Sequence, residues 1–134
     1  MRVFLGGTVD SHWRELLIPM LQCDYFNPIV KNWTPAHMQE ELHQRSICEY
    51  TLYTLTPLMT GVYSVAECVD DSNKKPDTTI LVIIYSDYGK QFSASQIASL
   101  EQLSRMVQNN GSHVFTTLSD AAAFLNQRNE EYDA

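Results

Sequence analysis

The chain has 134 residues and a formal net charge of −7, from 16 acidic and 9 basic side chains. That length suits one domain that buries its own core without staples, and the thin scatter of Lys and Arg excludes polymeric DNA or RNA, whose backbone demands a basic face. The longest apolar runs, Tyr50 to Leu55 and Ile80 to Ile84, fall far short of the roughly 20 residues that cross a bilayer, so no membrane partner is expected, and the absence of a signal-peptide pattern at the start leads to a cytoplasmic reading.

Arg2-Val3-Phe4-Leu5 reads as a first strand and Gly6-Gly7-Thr8 as the turn after it. Two glycines let backbone approach a ligand closely, and a plain turn is the other reading. From Ser11, a candidate N-cap, Trp13, Leu16, Leu17, Met20 and Leu21 recur at helical spacing up to Gln22, with Pro19 placed to kink or shorten the helix. Cys23, Cys48 and Cys68 have no C-x-x-C spacing and sit among apolar neighbours, which predicts buried reduced thiols.

Asp24 to Pro28 reads as a short second strand in which Asn27 either holds the turn or faces a ligand at the strand's tip. Thr34-Pro35 opens a helix to about Ser46, and its Glu40, Glu41, His43, Gln44 and Arg45 read as a mostly solvated face. His37, Glu41 and His43 lack the H-E-x-x-H pattern, so no metal site is expected. Tyr50 to Leu55, dominated by β-branched and aromatic residues, predicts a buried third strand.

Pro57 and Gly61 then punctuate a turn, and helical spacing from Val62 carries Glu67 into the first turns of a helix. Glu67 has two readings: the partner of Ser64 in an S-x-x-E capping box, or a carboxylate held at a ligand crevice for nucleophilic or acid–base work. The polar run Asp70 to Asp77 predicts an exposed loop, and Thr78 to Tyr85 a strand covered on both faces. Ser86 to Phe92 is a second long loop. Ser95 to Asn109 is an amphipathic helix stopped by Asn110-Gly111. His113-Val114-Phe115 is the last strand, with His113 structural, and Ser119 caps a final helix.

Strands alternating with helices over residues 1–134 predict one domain, a three-layer α/β sandwich with a flavodoxin-like five-stranded parallel sheet in the order 2-1-3-4-5. Strands one and three would then be neighbours at the switch point, which sets Gly6-Gly7 beside the Thr56 to Glu67 segment.

With those three pieces together the chain resembles the nucleoside 2-deoxyribosyltransferase superfamily, which also contains deoxynucleoside 5′-monophosphate N-glycosidases. The resemblance spans nearly the whole length. It implies that Glu67, following Gly61-Val62-Tyr63-Ser64, is the nucleophile of a covalent glycosyl-enzyme, formed without a cofactor from a small-molecule nucleoside or nucleotide. It implies that Glu49, just ahead of the third strand, contacts the base, and that Gly6, Gly7 and Thr8 lie against the sugar or phosphate. Ser93 and Ser95, after Asp87-Tyr88-Gly89-Lys90, would reach a neighbouring subunit's site in a homo-oligomer. Tyr63 and Tyr88 would stack on the base or simply pack. Gly61 stands where the family often has aspartate or serine, and Ser93 where some transferases have asparagine. Those departures keep open a non-catalytic nucleotide-binding relative of the same fold. A flavin-binding module also fits the sheet order, but a Ser/Thr-rich phosphate loop is missing after the first strand.

Overall fold

The computed structural model describes residues 1–134. Its elements run β1 (Arg2–Gly7), α1 (Trp13–Leu17), β2 (Asp24–Phe26), α2 (Pro35–Ile47), β3 (Tyr50–Leu55), α3 (Tyr63–Lys74), β4 (Thr79–Ile83), β5 (Ser86–Asp87), β6 (Lys90–Gln91), α4 (Ala94–Asn109), β7 (His113–Phe115) and α5 (Leu118–Asp133). Five strands form a parallel sheet in the order β2-β1-β3-β4-β7. This is the expected 2-1-3-4-5 order, because the short hairpin β5–β6 lies outside the main sheet.

Alternate residues of a strand face opposite ways, and here both faces are covered. Val3, Leu5, Leu52, Ile80 and Val82 pack against Trp13 and Leu17 of α1 and Ala121 and Leu125 of α5. Phe4, Tyr53, Leu55, Leu81 and Ile83 pack against Cys68 of α3 and Leu100 and Val107 of α4. The result is a flavodoxin-like three-layer sandwich. Two-sided burial explains why the central strands read as continuous apolar runs rather than alternating ones. No helix is long and apolar enough to cross a membrane. All three cysteines are free and buried, and burial pushes the Cys68 thiol up to about 12.

Several expectations need correction. The first helix is one turn long, because Pro19 has no N–H to give and the chain passes into a 3-10 turn at Ile18–Met20. The polar run after Glu67 is not an exposed loop: α3 continues to Lys74 with Asp71 and Ser72 buried. The cap of α5 is Thr117, whose hydroxyl accepts from Asp120 N at 3.2 Å, and not Ser119. The polar reading of helix α2 holds at Glu40 and His43, which are exposed, and fails at three other positions. Glu41, Gln44 and Arg45 face the body, while Met38, Leu42 and Ile47 are exposed.

The doubled glycine is needed at both positions for steric reasons. A Cβ on Gly6 would stand 2.6 Å from the Tyr53 ring, and one on Gly7 would stand 2.2 Å from the Thr54 carbonyl oxygen in a backbone with φ of +120°. Gly61, by contrast, has nothing within 4 Å of the equivalent position. Gly7→Ala should therefore cost about 3 kcal/mol or more, while Gly61→Ala changes stability by less than about 0.5 kcal/mol. Urea denaturation of the two variants checks this contrast, and equal midpoints would refute it.

Candidate functional site

The loop after β1 is tied down from both sides. Thr8 N donates to Thr54 O at 2.9 Å, and the Thr8 hydroxyl accepts from Thr56 N at 3.0 Å, so the tips of β1 and β3 are sewn together. Beneath them the buried Arg14 guanidinium donates to the carbonyls of Leu5 and Thr8 at 3.1 and 2.8 Å, and Trp13 Nε1 donates to Thr8 O at 2.8 Å. With no carboxylate in hydrogen-bond contact, burial brings Arg14 down to about 10, an effect only partly opposed by the charge of Glu41. These bonds hold Gly7 and Thr8 as one wall of a cleft at the carboxyl ends of the strands, where open α/β sheets take ligands.

The opposite wall is α3. Its N-cap, Val62, supplies no side-chain cap, so the Ser64–Glu67 capping box does not form and the Glu67 carboxylate is released from that role. Glu67 instead lies where two cavities adjoin. The smaller, about 180 Å³, has Gly7, Thr8, Gly61, Tyr63 and Ser64 among its walls. The larger, about 340 Å³, is lined by Trp33, Met38, Glu41, Leu42 and Tyr63. Both cavities include Tyr63 and Glu67.

Arg45 sets the electrostatics. Its guanidinium lies 3.7 Å from a Glu67 carboxylate oxygen, donates to the Glu67 carbonyl at 3.2 Å, and bonds Asp71 and Asp70 at 2.9 Å each. It also donates to the Tyr53 hydroxyl at 3.1 Å, which in turn donates to Asp71 at 2.5 Å. Burial alone would lower Arg45, but the Tyr53 phenol and the Asp71 carboxylate outweigh it and hold the group above its ordinary value. Tyr53 is driven up by burial and then by Asp71, so it stays a neutral donor. Glu67 is raised by burial, pulled back by Arg45, and raised again by Asp71 and Glu41. Glu41 is raised by burial and moderated by His37, Trp33 and Arg14. The cleft thus holds two desolvated carboxylates, only one of them paired with a cation at close range.

Of the residues singled out in the sequence, Gly7, Thr8, Gly61, Ser64 and Glu67 share the smaller cavity. Gly6 lies behind it against Tyr53. Asn27 holds a turn, accepting from Ile29 N at 3.1 Å. Ser93 caps α4, accepting from Gln96 N at 3.1 Å. Glu49 is at the wrong end of the sheet for the base-contacting role. Its carboxylate accepts from Arg2 N at 2.9 Å beside the amino terminus, and the six residues of β3, at about 3.3 Å each, separate it from the cleft. Glu41 is the acid that shares a cavity with Glu67, and Trp33, Arg45 and Asp71 complete the surroundings. A charged residue predicted on a solvated face gave no signal for this; the apolar spacing of Met38 and Leu42 on α2 was the only sign that its polar side turns inward.

No family profile, curated protein or solved structure matches the chain. Fold and site together define a class: a flavodoxin-like α/β sandwich with an acid-lined cleft at its switch point.

Tyr53→Phe, which removes the hydroxyl between Arg45 and Asp71, should cost about 1–3 kcal/mol in denaturant unfolding. An unchanged midpoint would show that the cluster does not depend on it. The pH dependence follows from Glu67: with its folded value above 4.5, the native chain keeps a proton that the unfolded chain has lost, so stability falls as pH rises through that window. Glu67→Gln removes this contribution. Its Tm relative to the parent should rise as the pH is raised past 4.5, and a difference that stays flat or falls there would contradict the shift.

Proposed function

We propose that the protein is an N-glycosyl transferase or hydrolase of the nucleoside 2-deoxyribosyltransferase type, cleaving a 2′-deoxynucleoside or its 5′-monophosphate in the cytoplasm. The observation that carries this reading is the Glu67 carboxylate at the junction of two cavities, one aromatic and acidic, the other built on Gly7, Thr8 and Ser64. A base fits the larger cavity between the Trp33 and Tyr63 rings, with Glu41 facing it. The sugar then lies at the junction, and its 5′ group extends toward Ser64 and the start of α3, where backbone N–H groups favour negative charge.

The chemistry divides between the two carboxylates by environment. Glu67, beside Arg45, is the ionised nucleophile: its oxygen bonds to C1′ as the C1′–N bond breaks and that electron pair passes to the base. Glu41, raised by burial and without a close cation, gives its proton to the departing base nitrogen. Water or a second base then attacks C1′, frees the Glu67 carboxylate and returns a proton to Glu41. Two displacements retain the anomeric configuration.

The same reading includes a homo-oligomer, in which a second subunit would cover the exposed Trp33, Met38 and Leu42 at the mouth of the larger cavity. A second reading, a non-catalytic nucleotide binder, is favoured by Gly61, which brings no polar group to the smaller cavity.

Incubated with deoxynucleosides or their monophosphates, the protein should release free base, or form a new nucleoside when a second base is added, as followed by chromatography. Glu67→Gln should abolish turnover, and Glu41→Gln should lower kcat by roughly 10²–10⁴-fold. Absence of product across the panel, with calorimetric nucleotide binding by both parent and Glu67→Gln, would select the binder instead. Arg45→Lys weakens the pairing that lowers Glu67, so the acid limb of kcat/KM should move to higher pH. A limb that stays in place would separate Arg45 from the nucleophile.

A further inference from the structure

The larger of the two cavities that meet at Glu67 is walled by Trp33, Met38, Leu42 and Tyr63 and by the two carboxyl groups, Glu41 and Glu67. No Asn, Gln, Ser, Thr, Lys or Arg side chain lines it. Glu67 lies 3.7 Å from the Arg45 guanidinium and is committed to the sugar. Glu41, half-buried on α2, has no such partner. The edge of a base in this cavity is therefore met by one carboxyl group. Burial raises Glu41 above the ordinary carboxyl value, and in the glycosyl-transfer reading it enters the reaction with its proton.

A protonated carboxyl group presents a donor and an acceptor side by side, one O–H and one C=O. That pattern is the pattern of a glutamine amide, which reads adenine through N6 and N7 with two parallel bonds. The O–H needs a ring nitrogen with a free lone pair, and the C=O needs an N–H beside it. Adenine offers the pair at N7 and N6, and cytosine at N3 and N4. In guanine and hypoxanthine the neighbour of N7 is a carbonyl oxygen, which would face the Glu41 C=O and leave both acceptors unpaired. Uracil and thymine carry a proton on N3 and offer no bare ring nitrogen.

The chemistry acts in the same direction. As the C1′–N bond breaks, its electron pair passes to the base, and the Glu41 proton moves to the ring nitrogen it was bonded to, so the base leaves neutral. The carboxylate left behind then accepts from that N–H and from the amine, and its charge strengthens both bonds. With guanine or hypoxanthine it would meet one N–H and one carbonyl. We propose that Glu41 makes the site specific for bases in which a bare ring nitrogen lies beside an exocyclic amine, adenine and cytosine, against guanine, hypoxanthine, uracil and thymine. The inference rests on the glycosyl-transfer reading of the cleft, which assigns this cavity to the base.

Free bases carry no sugar to transfer, so their binding to the parent protein tests recognition without turnover. By calorimetry adenine should bind at least about tenfold more tightly than hypoxanthine. 7-Deazaadenine, which keeps the amine but has carbon in place of N7, should fall to the hypoxanthine level, a comparison that needs no substitution in the protein. Glu41→Gln should keep the adenine preference, because its amide has the same donor and acceptor, while Glu41→Met should bind both bases alike. In turnover, kcat/KM for adenine and cytosine substrates should exceed that for their hypoxanthine and uracil counterparts at least about tenfold. The inference is overturned if adenine fails to bind below about 10 mM, if hypoxanthine, guanine or 7-deazaadenine binds as tightly, or if the preference survives Glu41→Met. Turnover of all bases at similar rates also overturns it and leaves the glycosyl-transfer reading standing. No turnover with any base, beside an adenine preference that Glu41→Met abolishes, overturns that reading and supports the base preference.

Discussion

The cluster of the half-buried Arg45 with the buried Asp71 and Tyr53 is the constraint around which this molecule is arranged. A guanidinium partly withdrawn from water has to be paired and hydrogen-bonded to offset the hydration it loses. Arg45 meets that demand by reaching from α2 into α3, and the consequence spreads in both directions along the chain. Helix α2 has to present its polar side to the body, which leaves Met38 and Leu42 facing outward. Helix α3 has to continue far enough to bring Asp71 under the guanidinium, through a stretch whose composition alone reads as loop. Glu67, one turn before Asp71, is carried into the same cluster.

A second constraint is the close approach of β1 to β3. Gly6 makes room for the Tyr53 ring that serves the cluster, and Gly7 lets the backbone turn over the Thr54 carbonyl. The two glycines therefore act in packing first. Only because that packing brings the β1 loop over the strand tips do Gly7 and Thr8 become a wall of the cleft opposite α3. The cleft is thus a product of backbone proximity at the switch point, with the Arg45 cluster providing the carboxylate that faces it.

Part of the site was legible from residues alone. Gly7, Thr8, Gly61, Ser64 and Glu67 lie at the ends of elements whose periodicity is clear, and a parallel sheet with strands one and three adjacent brings such ends together. Glu49 and Glu41 show where that legibility stops. Both precede β3, but the first sits at the strand's amino end and spends its carboxylate on Arg2 N, while the second, on the inward side of α2, faces the Glu67 cavity. Nearness in sequence to a strand does not say which end of the strand a side chain reaches.

Periodicity, turn residues and two-sided apolar runs determined the strand and helix order, and with right-handed crossovers they determined the sheet order as well, because these are local signals and a small set of topologies accommodates them. The tertiary structure alone decided the direction in which α2 faces, the length of α3, the loss of the Ser64–Glu67 cap and the pairing of Glu67 with Arg45. The physical reason is that a charge partly withdrawn from water is satisfied by whatever partner the fold delivers, and for Arg45 that partner, Asp71, lies 26 residues away along the chain.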